Sequence, residues 1–372
     1  MKSLENLIRN KLMPTILGGR DINDEMRLIL NLPARMGGMG FLNPSDEADQ
    51  EYQNSVEATA KLTDAIYNQH PKFVVNEEEH VKIVDGIRKR KDDQWKDLQQ
   101  QSLNIASDHM KRILLLASEK GASTWLTSIP MKMYGFRLSK QQFWDTLCMR
   151  YDLCLKDVPK YCQCGQLYSI NHCLTCKKGG FVIIRHNVVR DTIAEILQEV
   201  CKDVRVEPQL LPVTGEELPA RANTADGARA DVSAIGLWQP LNRAFIDVKV
   251  FNPLASSNAT QDLQQVYKRH EQEKKAQYND RVIEVEKGTF TPVIFSCSGG
   301  ASKEASRLLK AIAQKLAEKR NESYSTSISF IRRRISFDLI RTCVISFRGD
   351  RGCKRDLAIE ELDYGMKEME VY

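Results

Sequence analysis

The chain has 372 residues, 42% of them hydrophobic and 28% charged, with a formal net charge of +5. That length predicts two or three domains, and that composition a globular protein with a sizeable core. No run of about 18 apolar residues occurs, so no membrane-crossing helix is expected, and charge and proline interrupt MKSLENLIRNKLMPTILGG, against a secretory leader.

In chain order, residues 1–155 read as a helical region. Ser55–Ala65 and Val81–Ser118 carry apolar residues at three- and four-residue spacing, for example Leu103, Ala106, Met110, Ile113, Leu114 and Ala117. The glycine-rich run Arg35–Pro44 lacks the flanking strand and helix, and the terminal Lys-Ser/Thr, of a phosphate-cradling loop, and reads as a turn. Residues 156–180 form a short segment rich in Cys, His and Gly. From 181 the pattern changes. A helix is expected over Phe181–Cys201, then strands over Val204–Gln209, Ala230–Leu237 and Ala244–Phe251, a long polar helix over Ala259–Val285 and a strand over Pro292–Cys297. This order predicts an α/β (α+β) layout with a mixed sheet flanked by helices. Amphipathic helices follow over Lys303–Arg320 and Ile328–Arg341, and residues 356–372 form an acidic tail.

Between Arg332 and Arg355 stand Arg332, Arg333, Arg334, Arg341, Arg348, Arg351, Lys354 and Arg355, against Asp338 and Asp350. A local basic stretch on a nearly neutral chain suits a phosphate backbone, and equally suits a solvated helix face. Arg332, Arg333, Arg334, Arg348 and Arg351 are the candidate nucleic-acid contacts.

Ten cysteines are too few for a disulfide scaffold, and four crowd into Cys162–Cys176, which favours a reducing compartment and a metal. Cys162, Cys164, His172 and Cys176 have a spacing that can close a tetrahedron around Zn²⁺. Gly165 allows the tight turn, and Cys173 is spare. A closed four-ligand site predicts a structural role, folding a segment with little core of its own.

Two acids and a lysine mark the second constellation. Asp247 and Lys249 are two apart on a strand and share a face, and a hairpin with the preceding run would bring Asp231 beside them. Two close carboxylates suit a shared Mg²⁺ or Mn²⁺, with the lysine stabilising developing charge. An isolated Asp-x-Lys more often forms a structural pair; the preceding acid and the following helix favour a site. Glu207 before Pro208, and Glu271, Lys275 and Tyr278 on one helix face, are possible additions. Asp191, Glu195 and Glu199 read as a solvated stripe, and His186 as a capping or packing histidine rather than a phosphate contact.

The arrangement of Asp231, Asp247 and Lys249 over residues 181–300 resembles the PD-(D/E)xK restriction-like nucleases, with Ala230 where the motif has proline. The upstream Cys/His knuckle, Leu32–Pro44 and Lys275-x-x-Tyr278 are similar to the C-terminal part of non-LTR retroelement reverse-transcriptase polyproteins, here without a Tyr-x-Asp-Asp polymerase motif. The resemblance implies a helical region over 1–155, a CCHC zinc segment over 156–180, a restriction-like endonuclease domain over 181–355 and a tail. It implies metal binding by Asp231 and Asp247, charge stabilisation by Lys249, and supporting roles for Glu207, Lys275 and Tyr278. The expected activity is metal-dependent endonucleolytic hydrolysis of DNA, or of an RNA–DNA hybrid, inside the cell and in the nucleus. A catalytically inert nucleic-acid-binding remnant is the alternative.

Overall fold

A computed structural model of the chain describes residues 1–70, 74 and 76–352. The acidic tail, Lys354 and Arg355 lie outside the described residues. The chain divides into two compact units, Met1–Ser118 and Glu119 onward. Residues 119–155, read above with the N-terminal helices, therefore belong to the second unit.

The first unit is helical. Helices α1 (Lys2–Leu7) and α2 (Met13–Ile16) are joined by a π turn and followed by α3 (Asp24–Asn31), α4 (Pro44–Tyr67), α5 (Glu77–Ile105) and α6 (Asp108–Ala117). Asn23, Asn43, Asn76 and Ser107 each accept a backbone N–H at a helix start, which satisfies donors that the helix itself cannot. Ser107 also explains why the continuous pattern over Val81–Ser118 becomes two helices: Ala106 is extended and the chain restarts at the Ser107 cap. The Arg35–Pro44 run is a turn, as expected. Gly38 lies so close to the carbonyls of Ile29 and Leu32 that any Cβ there would collide with backbone.

The second unit is mixed α/β. It begins with α7 (Thr124–Thr127), α8 (Lys140–Tyr151) and α9 (Ile170–Thr175). Then come α10 (Phe181–Gln198), β1 (Lys202–Val206), β2 (Val232–Ile235), β3 (Arg243–Phe251), α11 (Leu263–Glu284), β4 (Thr289–Ser296), α12 (Lys303–Arg320) and α13 (Tyr324–Arg348). The sheet order is β1-β2-β3-β4; β1, β2 and β3 pair antiparallel, and β3 pairs parallel with β4 through the crossover helix α11. A parallel pair needs such a crossover, whereas the β2–β3 hairpin does not. One face of β3 lies under α11: Phe245 packs with Val282 and Tyr278, and Phe251 meets Tyr267 edge-on. Helix α10 packs against β1, β2 and β3, and Phe181, Ile184 and Val188 join it to Ile345 of α13.

Helix α13 departs from expectation. It carries buried Ile328, Ile331, Ile335, Phe337, Leu339, Ile340, Val344 and Phe347 around most of its circumference, so its arginines have little water to reach. Arg334 pairs with Glu195, which draws one member of the supposed solvated stripe into an ion pair. Arg341 donates to the carbonyls of Gly135 and Arg137. Arg348 grips both carboxylate oxygens of Asp145 at 2.7 and 2.9 Å and also donates to Lys156 O. Arg351, 5% exposed, donates to the carbonyls of Lys178, Cys173 and Ser346. The basic stretch is therefore largely structural: Arg334, Arg348 and Arg351 neutralise acids and cap carbonyls of their own unit. Arg332 and Arg333 remain half-buried.

The Asp145–Arg348 clamp joins α8 to α13, and the Asp145 side chain is 1% exposed. Removing the guanidinium leaves a buried carboxylate with only the Gln141 amide as donor and no counter-charge, at a cost of about 3–5 kcal/mol. Arg348→Ala should lower the urea midpoint accordingly, and Arg333→Ala should stay within about 0.5 kcal/mol of the parent. Equal, small effects would contradict the clamp.

Candidate functional site

Two groups of chemically capable side chains lie in the second unit. The first is the cysteine–histidine knuckle. Cys162 and Cys164 lie on a tight turn in which Cys162 N–H donates to Gln166 O and Gly165 N–H to Cys162 O, both at 2.8 Å. Gly165 has φ +87°, a left-handed conformation that costs glycine little. The other two ligands come from α9. Its cap Ser169 accepts the His172 N–H, and Cys176 closes the helix by donating its own N–H to His172 O. The four ligand atoms lie within 4.8 Å of one another, with Cys162 Sγ 3.9 Å from Cys176 Sγ and Cys164 Sγ 3.2 Å from His172 Nε2. With Zn–S bonds of about 2.3 Å a tetrahedral edge is about 3.8 Å, so this spacing fits a metal such as zinc. The spare Cys173 is fully buried and outside the ligand set.

The knuckle is fastened to its surroundings by hydrogen bonds. Tyr168 Oη donates to Phe347 O at 2.8 Å, and Gln163 Nε2 to Asp350 Oδ1 at 3.1 Å. Arg185 of α10 donates to Leu174 O at 2.7 Å, and Asn252, just past β3, donates to Asn171.

The second group surrounds β3. Asp231 stands one residue before Val232, whose register partner is Ile246, and Asp247 stands one residue after Ile246. The hairpin therefore brings the two acids to neighbouring positions. Asp247 is 4% exposed. Burial, reinforced by the charge of Asp231, pushes its carboxyl up to about 6, although Lys274 and His186 pull the other way. Its Oδ2 lies 2.6 Å from Lys274 Nζ in an ion pair. Asp231 accepts from Val248 N–H at 2.6 Å through Oδ2 and meets His186 Nε2 at 3.1 Å through Oδ1. One turn along α10 from His186, Arg190 pairs with Glu207 and Asp191, and the charge of Asp231 also bears on it. Glu207 is held beside Asp231 by its own N–H, which donates to Asp231 O at 2.8 Å.

Three expectations need correction here. Lys249 shares the Asp247 face, but its amine turns to α11, donating to His270 Nδ1 at 2.8 Å and Glu273 Oε2 at 2.9 Å. Burial would raise Glu273, yet its bonds from His270 and Lys249 outweigh this and pull it down to about 2. The amine at Asp247 is that of Lys274, which the sequence reading passed over. Lys275 points the other way, pairing with Glu304 at 2.7 Å, while Glu271 Oε1 accepts the Glu304 N–H. Tyr278 packs against the cluster around Phe245 and, four residues on from Lys274, presents its ring 5.9 Å from that amine. His186, read as capping or packing, contacts Asp231 directly.

A raised carboxyl fixes the sign of a pH effect. Between about 4 and about 6 the native state holds a proton on Asp247 that the unfolded chain has lost, so stability falls as pH rises through that window. In chelator, the parent's melting temperature should fall between pH 4 and pH 7 and Asp247→Asn should lose that fall, whatever it costs to leave Lys274 without its partner; the same fall in both proteins would contradict the burial argument. For the knuckle, atomic absorption should find one zinc per chain, with Cys162→Ser releasing it and lowering stability by several kcal/mol. Protein purified without chelator that holds no metal would oppose that assignment. Compared with known proteins, the chain matches no family model and no curated protein.

Proposed function

We propose that this chain is a metal-dependent endodeoxyribonuclease of the restriction-like type, derived from a retroelement and acting on DNA or an RNA–DNA hybrid in the nucleus. The observation that carries the reading is the pair Asp231 and Asp247, two acids brought together by a hairpin at a largely buried position beside Lys274. Uncompensated, such a pair is costly, and a divalent cation is a common reason for keeping it. Asp247 Oδ2 supports the fit, since the Lys274 amine at 2.6 Å holds it by charge and a divalent cation could take that place. Mg²⁺ or Mn²⁺ held by the two carboxylates would supply Lewis-acid activation of a phosphodiester and of the attacking water.

The chain's own groups take the remaining tasks. Lys274 places a positive charge where an anionic phosphate must come close to two acids. His186 and the Val248 N–H orient the Asp231 carboxylate. Arg190 balances Glu207 and Asp191, so that neither adds its charge to the site unopposed. Zinc in the knuckle would be structural, holding α9 and the start of α10, the helix that carries His186.

A second reading also has an observation behind it. Both Asp231 oxygens are already engaged, and Lys274 already neutralises Asp247, as a fold would do that keeps the acids but no longer cuts. An inert nucleic-acid-binding remnant is that alternative.

Plasmid nicking separates the two. Asp247→Asn should abolish Mg²⁺-dependent nicking with DNA affinity retained. Lys274→Ala should lose roughly 100-fold, the usual scale for one charge-stabilising group, whereas Lys275→Ala should stay near the parent. Lys249→Ala should lose less than Lys274→Ala; the reverse order would return the amine's role to Lys249. Nicking by none of these proteins, parent included, would favour the inert reading.

A further inference from the structure

We infer that the outer face of α12, together with Arg332 and Lys120, is the surface that holds the nucleic-acid backbone. This rests on the nucleic-acid reading above and moves the interface away from most of the α13 arginines. Lys303, Arg307 and Lys310 are exposed and lie at four- and three-residue steps, so they form one row along the helix. At about 1.5 Å rise per residue their spacing along the axis is about 6 and 4.5 Å, comparable to that of successive phosphates in a strand. The row lines a shallow cleft with Ala301 and Ser306. An adjoining cleft shares those two residues and adds Lys120 and Arg332. Among the described residues, five cations and no acid line the two clefts.

The charges are available. Among the described residues, Lys120, Lys303, Lys310 and Arg332 have no ion pair, and Arg307 reaches Glu304 only at 3.9 Å. Arg334, Arg341, Arg348 and Arg351 are by contrast all engaged within the unit. Arg307 also lies over the Trp238 ring at 4.8 Å, so a cation and an aromatic ring, the two groups that hold single strands, stand side by side here. A membrane surface fits less well, since α12 exposes no large apolar side chain that could enter lipid. The row also lies against the helix that carries Lys274, since Glu304, next to Lys303, pairs with Lys275 of α11.

The test uses the full chain and a fluorescent 30-base-pair DNA, with affinity followed against salt concentration. Each lost phosphate contact lowers the slope of log K against log salt by about 0.9. The double variant Arg307→Ala/Lys310→Ala should bind at least tenfold more weakly at low salt, with a slope smaller by about 2, and with an unchanged melting temperature. Gln314→Ala, further along the same helix, should behave as the parent. An unchanged slope in the double variant would overturn the assignment. So would loss of binding to phosphatidylserine vesicles with DNA binding intact. A parent protein that never nicks DNA, but whose binding loses this slope in the double variant, removes the hydrolytic reading and supports the interface.

Discussion

The carboxylate of Asp247 sits inside the protein beside that of Asp231, and the second unit is arranged around that repulsion. Strand β3 cannot move it outward, because the strand is bonded on both sides and Asp247 alternates with apolar residues that form the core. Compensation comes from two helices instead. Helix α11 contributes Lys274, whose own burial opposes its charge but whose attraction to Asp247 more than offsets this. Helix α10 contributes His186 to Asp231 and Arg190 to the acids beside it. A fold selected for stability alone would place a nonpolar residue at Asp247 and dispense with all three.

Helix α10 also ties this position to the knuckle. It starts five residues after Cys176, and Arg185, almost wholly buried, reaches back to Leu174 O between the third and fourth ligands. The next residue is His186. The segment carrying the ligands has few apolar side chains of its own, so closing it around a metal would fix the start of a helix whose next turn touches Asp231. From the other side, Arg351 and Tyr168 bond the knuckle to the end of α13. Arginines that looked like a surface for polyanions thus act largely as internal donors to carbonyls, which is what a helix buried around most of its circumference requires of them.

Much of this was legible in the sequence because it is encoded in local period. The alternation in AFIDVKVF and the turn before it predict the hairpin, and with it the meeting of Asp231 and Asp247. The four ligands at 162, 164, 172 and 176 are near in sequence, so their meeting needs only one turn and one short helix. Choices that depend on helix phase were less visible. Glu271, Lys275 and Tyr278 make one plausible face of α11, but Val266, Tyr267, His270 and Val282 set the buried side, and Lys274 falls on that side. Reading the apolar positions before the charged ones would have selected Lys274. For α13 the sign of the charges drew attention away from apolar residues on nearly every side. The contact of His186 with Asp231 spans 45 residues and depends on packing that no local pattern records.

As proposed, Asp231 and Asp247 would hold a divalent cation, with Lys274 as the counter-charge in its absence. Crystals soaked in Mn²⁺ test this most directly, through anomalous scattering. The account predicts a peak within bonding distance of both carboxylates, with Lys274 Nζ moved off Asp247 Oδ2. Density absent from that position at millimolar Mn²⁺, with the Lys274–Asp247 pair still closed, would contradict it.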